Sequence, residues 1–218
     1  MNDNFKTQVP KEHYYSNYDS LRRFITYYYQ IDLIRKIKPD KILEIGVGNK
    51  TVSNYLRQNK YQVITCDFDK ELNPDYVADI RNLPFENELF DVVLACEILE
   101  HLPWEDVDKA LDEIFRVTKK FVIVSLPYSS VAFEFIFRFP LIETITGRKL
   151  IKMFLRIPLF KKAKNRGEHY WELGRRHFSK RKIRKKFEEK FKIKKELRPV
   201  LNAKHYFFVL EKKINKPQ

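Results

Sequence analysis

Lys41-Ile-Leu-Glu-Ile-Gly-Val-Gly-Asn49 decides the fold. Ile42, Leu43 and Ile45 form a short apolar run of the kind that makes a strand buried on both faces. Gly46 and Gly48 then break it into a tight turn whose backbone can approach a ligand without a Cβ in the way. Glu44 stands just before the turn, where a carboxylate can orient the loop and face a cation. A strand ending in such a turn points to a nucleoside cofactor lying over the end of a parallel sheet.

Outward from this stretch, short apolar runs alternate with helical spacing. Strands are expected over Lys41–Ile45, Tyr61–Cys66, Tyr76–Ala78, Phe90–Cys96 and Phe121–Leu126, with helices over Val52–Gln58 and Trp104–Val117. Before them, Leu21, Phe24, Ile25, Tyr28, Leu33 and Ile37 recur at helical spacing until Pro39-Asp40 stops the pattern. This rhythm predicts an α/β fold with a doubly wound, Rossmann-like sheet, its ligand at the carboxyl ends of the strands. After Pro127 the rhythm stops, and the aromatic, apolar segment Val131–Phe160, broken by Pro140 and Pro158, is expected to be an inserted helical lid. Ser179 is placed to cap a helix over Lys180–Lys190, and Phe191–Leu197 with His205–Leu210 reads as a closing hairpin. One domain spanning 1–218 follows: leading helices to 40, a cofactor-binding core over 41–127, the lid over 128–175, and a last helix with closing strands over 176–218.

Composition bounds the function. With 44% apolar and 33% charged residues the chain can bury a real core. Its start has neither a basic nor an apolar leader pattern, and no apolar run is long enough to span a membrane, so it reads as cytoplasmic. Cys66 and Cys96, the only cysteines, read as reduced thiols and are too few for a zinc site. The net charge of +14 is uneven: residues 1–130 hold 17 Lys and Arg against 21 Asp and Glu, and residues 131–218 hold 26 against 8. The basic half suits an anionic partner such as RNA or a lipid headgroup, or a solvated lysine-rich surface. Lys180-Arg-Lys-Ile-Arg-Lys-Lys186 puts cations in the first turn of a helix, which the macrodipole disfavours unless something offsets it.

Further candidates follow the glycine turn in order. Asp67 ends the second strand 23 positions after Glu44, where its carboxylate can accept two charge-assisted hydrogen bonds from ribose hydroxyls. Phe68 follows it. Asp79 could accept the amino group of an adenine, with Ile80 beside it, and Cys96 and Glu97 end the fourth strand. Lys50 stands where a third small residue would close a dinucleotide fingerprint, which argues against a nicotinamide enzyme. A glycine turn with no ligand would leave Asp67 and Asp79 without a reason.

Together, Leu43-Glu-Ile-Gly-Val-Gly48, Asp67, Ala78-Asp-Ile-Arg-Asn-Leu-Pro-Phe85 and Phe90-Asp-Val-Val-Leu-Ala-Cys-Glu-Ile-Leu-Glu-His-Leu102 resemble the class I S-adenosylmethionine-dependent methyltransferases of the type 11-like kind. The resemblance is close from Ile42 to Leu126 and looser from Arg176 through Leu210. It implies a seven-stranded sheet, mostly parallel with one antiparallel strand, and S-adenosyl-L-methionine as cofactor. Glu44, Gly46, Val47, Gly48, Asp67, Phe68, Asp79, Ile80 and Cys96 would contact that cofactor. A third glycine usual in the family is replaced here by Lys50, which would turn outward or pair with an acid of the ligand.

Methyl transfer to a hydroxyl or amine needs a base. His101, Glu97 and Tyr128 are the catalytic candidates, and Glu168-His-Tyr-Trp-Glu-Leu-Gly174 is expected near the acceptor. Glu97, Glu100 and His101 fall on one helical turn, and this trio resembles metal-using branches that methylate ubiquinone precursors and small-RNA 3′ ends, where it binds Mg²⁺. The other reading makes them local hydrogen-bonding groups, and no residue is assigned to a metal. Completing such a site would need His169 or His177. Tyr14, Tyr18 and Arg22 either close over the cofactor or pack. The expected activity is O-methylation of a small-molecule, glycan or lipid-linked acceptor. RNA methylation through the basic half and a cofactor-binding module without turnover are the alternatives, and the apolar, cation-bearing lid also suits peripheral contact with a membrane.

Overall fold

The structure, a computed structural model, describes residues 10–15, 18–137, 144, 151–157 and 169–213. Strands β1 (Lys41–Ile45), β2 (Gln62–Asp67), β3 (Tyr76–Val77), β4 (Phe90–Cys96) and β5 (Thr118–Pro127) pair in parallel. Two further strands, β8 (Phe191–Leu197) and β9 (His205–Lys212), complete the seven-stranded sheet in the order β3-β2-β1-β4-β5-β9-β8. β9 runs antiparallel to both its neighbours, so the closing hairpin and the single reversed strand expected from the sequence are both present.

The doubly wound character follows from the residue pattern of β1. Ile42 and Leu43 are both fully buried, yet they belong to different cores. Leu43 packs with Leu111 and Ile114 of α3 (Val107–Val117) and with Ile183 and Phe187 of α4 (Lys180–Glu188). Ile42 packs with Ile34 of α1 (Leu21–Ile37) and Leu56 of α2 (Thr51–Gln58) on the opposite face. Period-two alternation of apolar residues on both faces is what a sheet covered by helices requires. The capping expected at Ser179 is observed, its Oγ accepting from Lys182 N at 3.2 Å.

The lid differs from the expectation of helices. Val131–Phe137 (β6) and Ile151–Ile157 (β7) form a separate antiparallel two-stranded ribbon, and the rest of Val131–Phe160 lies outside the described residues apart from Thr144. The cause is legible afterwards: in Val131-Ala-Phe-Glu-Phe-Ile-Phe137 the bulky aromatics recur every second residue, a strand period that was masked by the overall apolarity.

Half of the cations of the basic helix α4 are paired within the chain: Lys180, Arg184 and Lys186. Lys186 meets Asp108 at 2.7 Å and, just past the helix end, Lys190 meets Asp112 at 2.5 Å, both acids on α3. Lys180 and Arg184 both pair with Glu196 on β8. In the first turn Lys180 gains its offset to the unfavourable macrodipole from Glu196 on β8, whereas Lys186 and Lys190 stand at the C-terminal end, where the macrodipole favours a cation.

Candidate active site

The parallel strands converge on a cavity of 330 Å³ at their carboxyl ends. Gly46 leaves β1 with φ +80°, its N–H donating to Cys66 O at 2.9 Å, so the turn is hung on β2. A Cβ at this position would stand 1.9 Å from Ile98 Cδ1 and force that side chain aside, on a backbone that already strains any residue but glycine. Gly48 also has positive φ, and the Tyr14 ring lies against it. Lys50 adopts φ 61°, a left-handed conformation that costs a side-chain-bearing residue about 1 kcal/mol. It then turns its Nζ to the Asn73 carbonyl and away from the cavity lining.

Asp67 is the hinge of this site. One carboxylate oxygen accepts from Val47 N and the other from Asp69 N, both at 2.9 Å. Burial raises its pKa against the pull of those two amides. Each oxygen keeps further acceptor capacity. Glu44 is buried with Oε2 unpartnered among the described residues, and burial pushes its carboxyl up to about 7 although Ser53 and Arg57 oppose the shift. An unpartnered acid at the end of a strand is a place where a ligand cation is worth most. Asp79 is clamped by Arg81, at 2.9 Å to Nε and 2.5 Å to Nη2; desolvation raises its pKa, but the arginine wins and holds the carboxyl below the usual range.

Every cofactor candidate named from the sequence lines this cavity: Glu44, Gly46, Val47, Gly48, Asp67, Phe68, Asp79, Ile80 and Cys96. Tyr14 and Tyr18 line it as well, and Arg23 does so in place of Arg22.

The catalytic candidates separate. Glu97 and His101 line the cavity, but Tyr128 does not: it is buried in the core, its ring against Tyr206 and under the Arg198 guanidinium. Glu97, Glu100 and His101 do not share one face as expected. Glu97 takes φ 57° and swings its carboxylate toward β5 and β9, accepting from Ser125 Oγ at 2.7 Å and facing His205 Nε2 at 3.4 Å. The turn that follows is a 3-10 turn over Leu99–His101, tighter than the α-helical turn the spacing suggested.

Glu100 is fully buried, and both its carboxylate oxygens lack a hydrogen-bond partner among the described residues. Burial, with the Glu97 charge adding, raises its pKa well above the ordinary value. One atom each from Glu100, His101 and His169 lie within 4.8 Å of one another, so these three residues could hold a divalent cation. His177 is exposed and takes no part in this cluster.

Two groups were not singled out in the sequence: His205, which lines the cavity, and Glu172, within the 168–174 stretch expected near the acceptor. His205, at the first residue of β9, is held through Nδ1 by Thr26 Oγ1 at 2.8 Å and sits beside Glu97; burial lowers its pKa although Glu97 opposes this. Only the β5–β9 register, which pairs His205 with Pro127, brings it there. Glu172 is the second: it faces His169 Nδ1 at 3.1 Å and Arg175 Nε at 2.6 Å, and these partners overcome desolvation to hold its carboxyl down at about 2. An ionised Glu172 makes Nδ1 the protonated nitrogen of His169 and leaves Nε2 an acceptor. Its spacing of three from His169 was in the sequence, but nothing there said that the two would meet.

The decisive comparison is with families. Residues 43–126, which carry the glycine turn, Asp67, Asp79 and the Glu97 turn, match the family model described as a methyltransferase domain. Over these residues the chain carries a methyltransferase domain.

The chain matches none of the curated proteins with which it was compared. Among solved structures, it superposes on a Pyrococcus horikoshii OT3 protein with TM-score 0.60 at 16% identity, covering 92% of this chain and 96% of that one. Against the magnesium protoporphyrin IX methyltransferase of Synechocystis PCC 6803, solved with bound S-adenosylhomocysteine, the TM-score is 0.59 at 14% identity, with 88% and 84% covered. The N-methyltransferase NodS of Bradyrhizobium japonicum WM9 gives 0.59 at 11%, with 93% and 96% covered. The activities of the last two differ, so the shared sheet leaves the acceptor of this chain open.

Proposed function

We propose that this methyltransferase transfers a methyl group to a hydroxyl oxygen of a glycan or lipid-linked acceptor. The observation that carries the reading is the joining of two sites in one cavity: acids and glycines suited to the cofactor, and the paired imidazoles of His101 and His169 beside them. The residues fit the cofactor. Gly46 and Gly48 line the cavity at positive φ and bring backbone without a Cβ to it, and Glu44 Oε2 is a buried acceptor without a partner among the described residues. Asp67 would hold the ribose diol, Asp79 and Ile80 the adenine, and Glu44 the cationic end. Once bound, S-adenosylmethionine supplies an already activated methyl, so the protein's task is alignment and removal of the hydroxyl proton. His169 Nε2, oriented through Glu172, accepts that proton, with His101 edge-on at its side.

The pH dependence of binding tests the Glu44 assignment. Its folded pKa is raised, so the carboxyl is protonated below about 7 and the ligand-free fold loses that stabilisation as pH rises through 7. A cation placed against it favours the ionised form and expels the proton. Affinity for S-adenosylhomocysteine is therefore expected to rise about tenfold between about pH 6 and about pH 8, with Glu44→Gln weaker and flat. Titration calorimetry in two buffers of different ionisation enthalpy reads the released proton directly; pH-independent binding without proton release would remove Glu44 from the site.

The unpartnered Glu100 oxygens favour a second reading, in which a divalent cation on Glu100, His101 and His169 also takes the acceptor oxygen. One experiment addresses both. Methyl-labelled S-adenosylmethionine is incubated with the protein and glycan or glycolipid fractions, with and without chelator. Label in an alkali-stable methyl ether supports the hydroxyl acceptor, and label in alkali-labile esters or in amines overturns it. Loss of label and of melting temperature on chelation, both restored by Mg²⁺, supports the cation; unchanged labelling excludes it.

A further inference from the structure

The β6–β7 ribbon is inside out. Val131, Phe133, Phe135, Met153 and Leu155 are 39–57% exposed, and the register places Phe133 opposite Leu155 and Phe135 opposite Met153, so these side chains form one continuous apolar face. The other face is the one tied to the body. Glu134 accepts from Leu201 N at 3.0 Å through both oxygens, and the Arg198 guanidinium lies 5.2 Å from the centre of the Phe154 ring. A ribbon packed on a protein in water normally turns its apolar side inward and its polar side outward. Here the order is reversed, and a contiguous exposed apolar patch of this kind marks a contact surface.

Charge says what covers it. In sequence, Val131 to Glu168 carries nine Lys and Arg against three Glu, and the exposed Lys152, opposite Ile136, stands on the face that Glu134 ties to the body. A second copy would carry the same excess of positive charge in this stretch of sequence. RNA would answer the charge but offers nothing to Val131, Met153 and Leu155, which cannot stack on bases. A bilayer with anionic headgroups answers both, taking the apolar side chains into the acyl boundary and the cations at its surface.

We infer that the β6–β7 ribbon docks this methyltransferase on the surface of an anionic lipid bilayer. The ribbon begins four residues after Pro127, which lines the cavity, so docking brings the catalytic mouth to the lipid side. The inference does not depend on the nature of the acceptor, and its test needs none. Among the described residues no helix is long and apolar enough to cross a membrane.

The test is co-sedimentation of the full chain with vesicles of phosphatidylcholine alone or mixed equally with phosphatidylglycerol. The protein is expected to sediment with the mixed vesicles, to bind neutral ones about tenfold more weakly, and to be released by salt. Phe133→Glu with Phe135→Glu should cut binding to mixed vesicles about tenfold or more while S-adenosylhomocysteine affinity, the control for folding, stays unchanged. Should that pair not fold, Met153→Ser with Leu155→Ser probes the same face. Wild-type protein left in the supernatant, variants that bind as wild type does, or a concentration-dependent dimer abolished by the same substitutions would each overturn the inference.

Discussion

Replacing His169 by Ala is expected to lower kcat by about 10²- to 10⁴-fold, the range for loss of a positioned general base, while affinity for S-adenosylhomocysteine stays within about threefold. The asymmetry follows from position. Glu44, Asp67 and the glycine turn sit at the ends of β1 and β2, whereas His169 follows the ribbon and reaches the cavity beside His101. Its Nδ1 is engaged by Glu172, which Arg175 holds in turn, so the ring is fixed before any acceptor arrives. Glu172→Gln should give an intermediate loss, because an amide can hold the ring but stabilises an imidazolium poorly. Single-turnover rates with saturating cofactor make the measurement. A kcat within about threefold of wild type for His169→Ala would show that the proton leaves by another route, with Glu97 and His205 the nearest alternative.

The second large effect is on cofactor binding. Asp67→Ala should weaken S-adenosylhomocysteine by about 10²- to 10⁴-fold, since hydrogen bonds to a charged partner contribute about 1.5–3 kcal/mol each and two are lost. The same carboxylate ties Val47 N and Asp69 N, so the loops on either side of the ligand lose their common anchor. Burial already disfavours the charge in the absence of ligand, so the melting temperature of the ligand-free variant should change much less than its affinity. A variant with unaltered affinity would mean that Asp67 serves the loops alone.

The sequence was most informative where chemistry and periodicity coincide. A glycine forced to positive φ by a sharp turn, an acid at the end of a neighbouring strand and apolar runs buried on both faces are local signatures, and all nine cofactor candidates reach the cavity. Catalytic geometry was harder because it depends on long-range register. His205 arrives through antiparallel pairing of β9 with β5, and His169 meets Glu100 and His101 from 68 positions along the chain. Glu97 lines the cavity but not in the direction expected, since its left-handed backbone at the end of β4 turns it away from its neighbours in sequence. Tyr128 is the same lesson reversed. A residue after a strand end was expected at the mouth, but its ring turns into the core against Tyr206. The ribbon was misjudged because strong apolarity hid a period of two.

Lys50 sharpens the view of the glycine turn. Its side chain leaves the cavity for the Asn73 carbonyl, and its left-handed backbone supplies the conformation that a third glycine would adopt freely. The loop is therefore shaped for a ligand without that glycine.

The most direct test of the central claim is titration calorimetry of the full chain with S-adenosylhomocysteine at neutral pH. Saturable binding of one molecule per chain, lost in Asp67→Ala, is the predicted result; a wild-type protein that gives no binding heat and no rise in melting temperature with the ligand would contradict it.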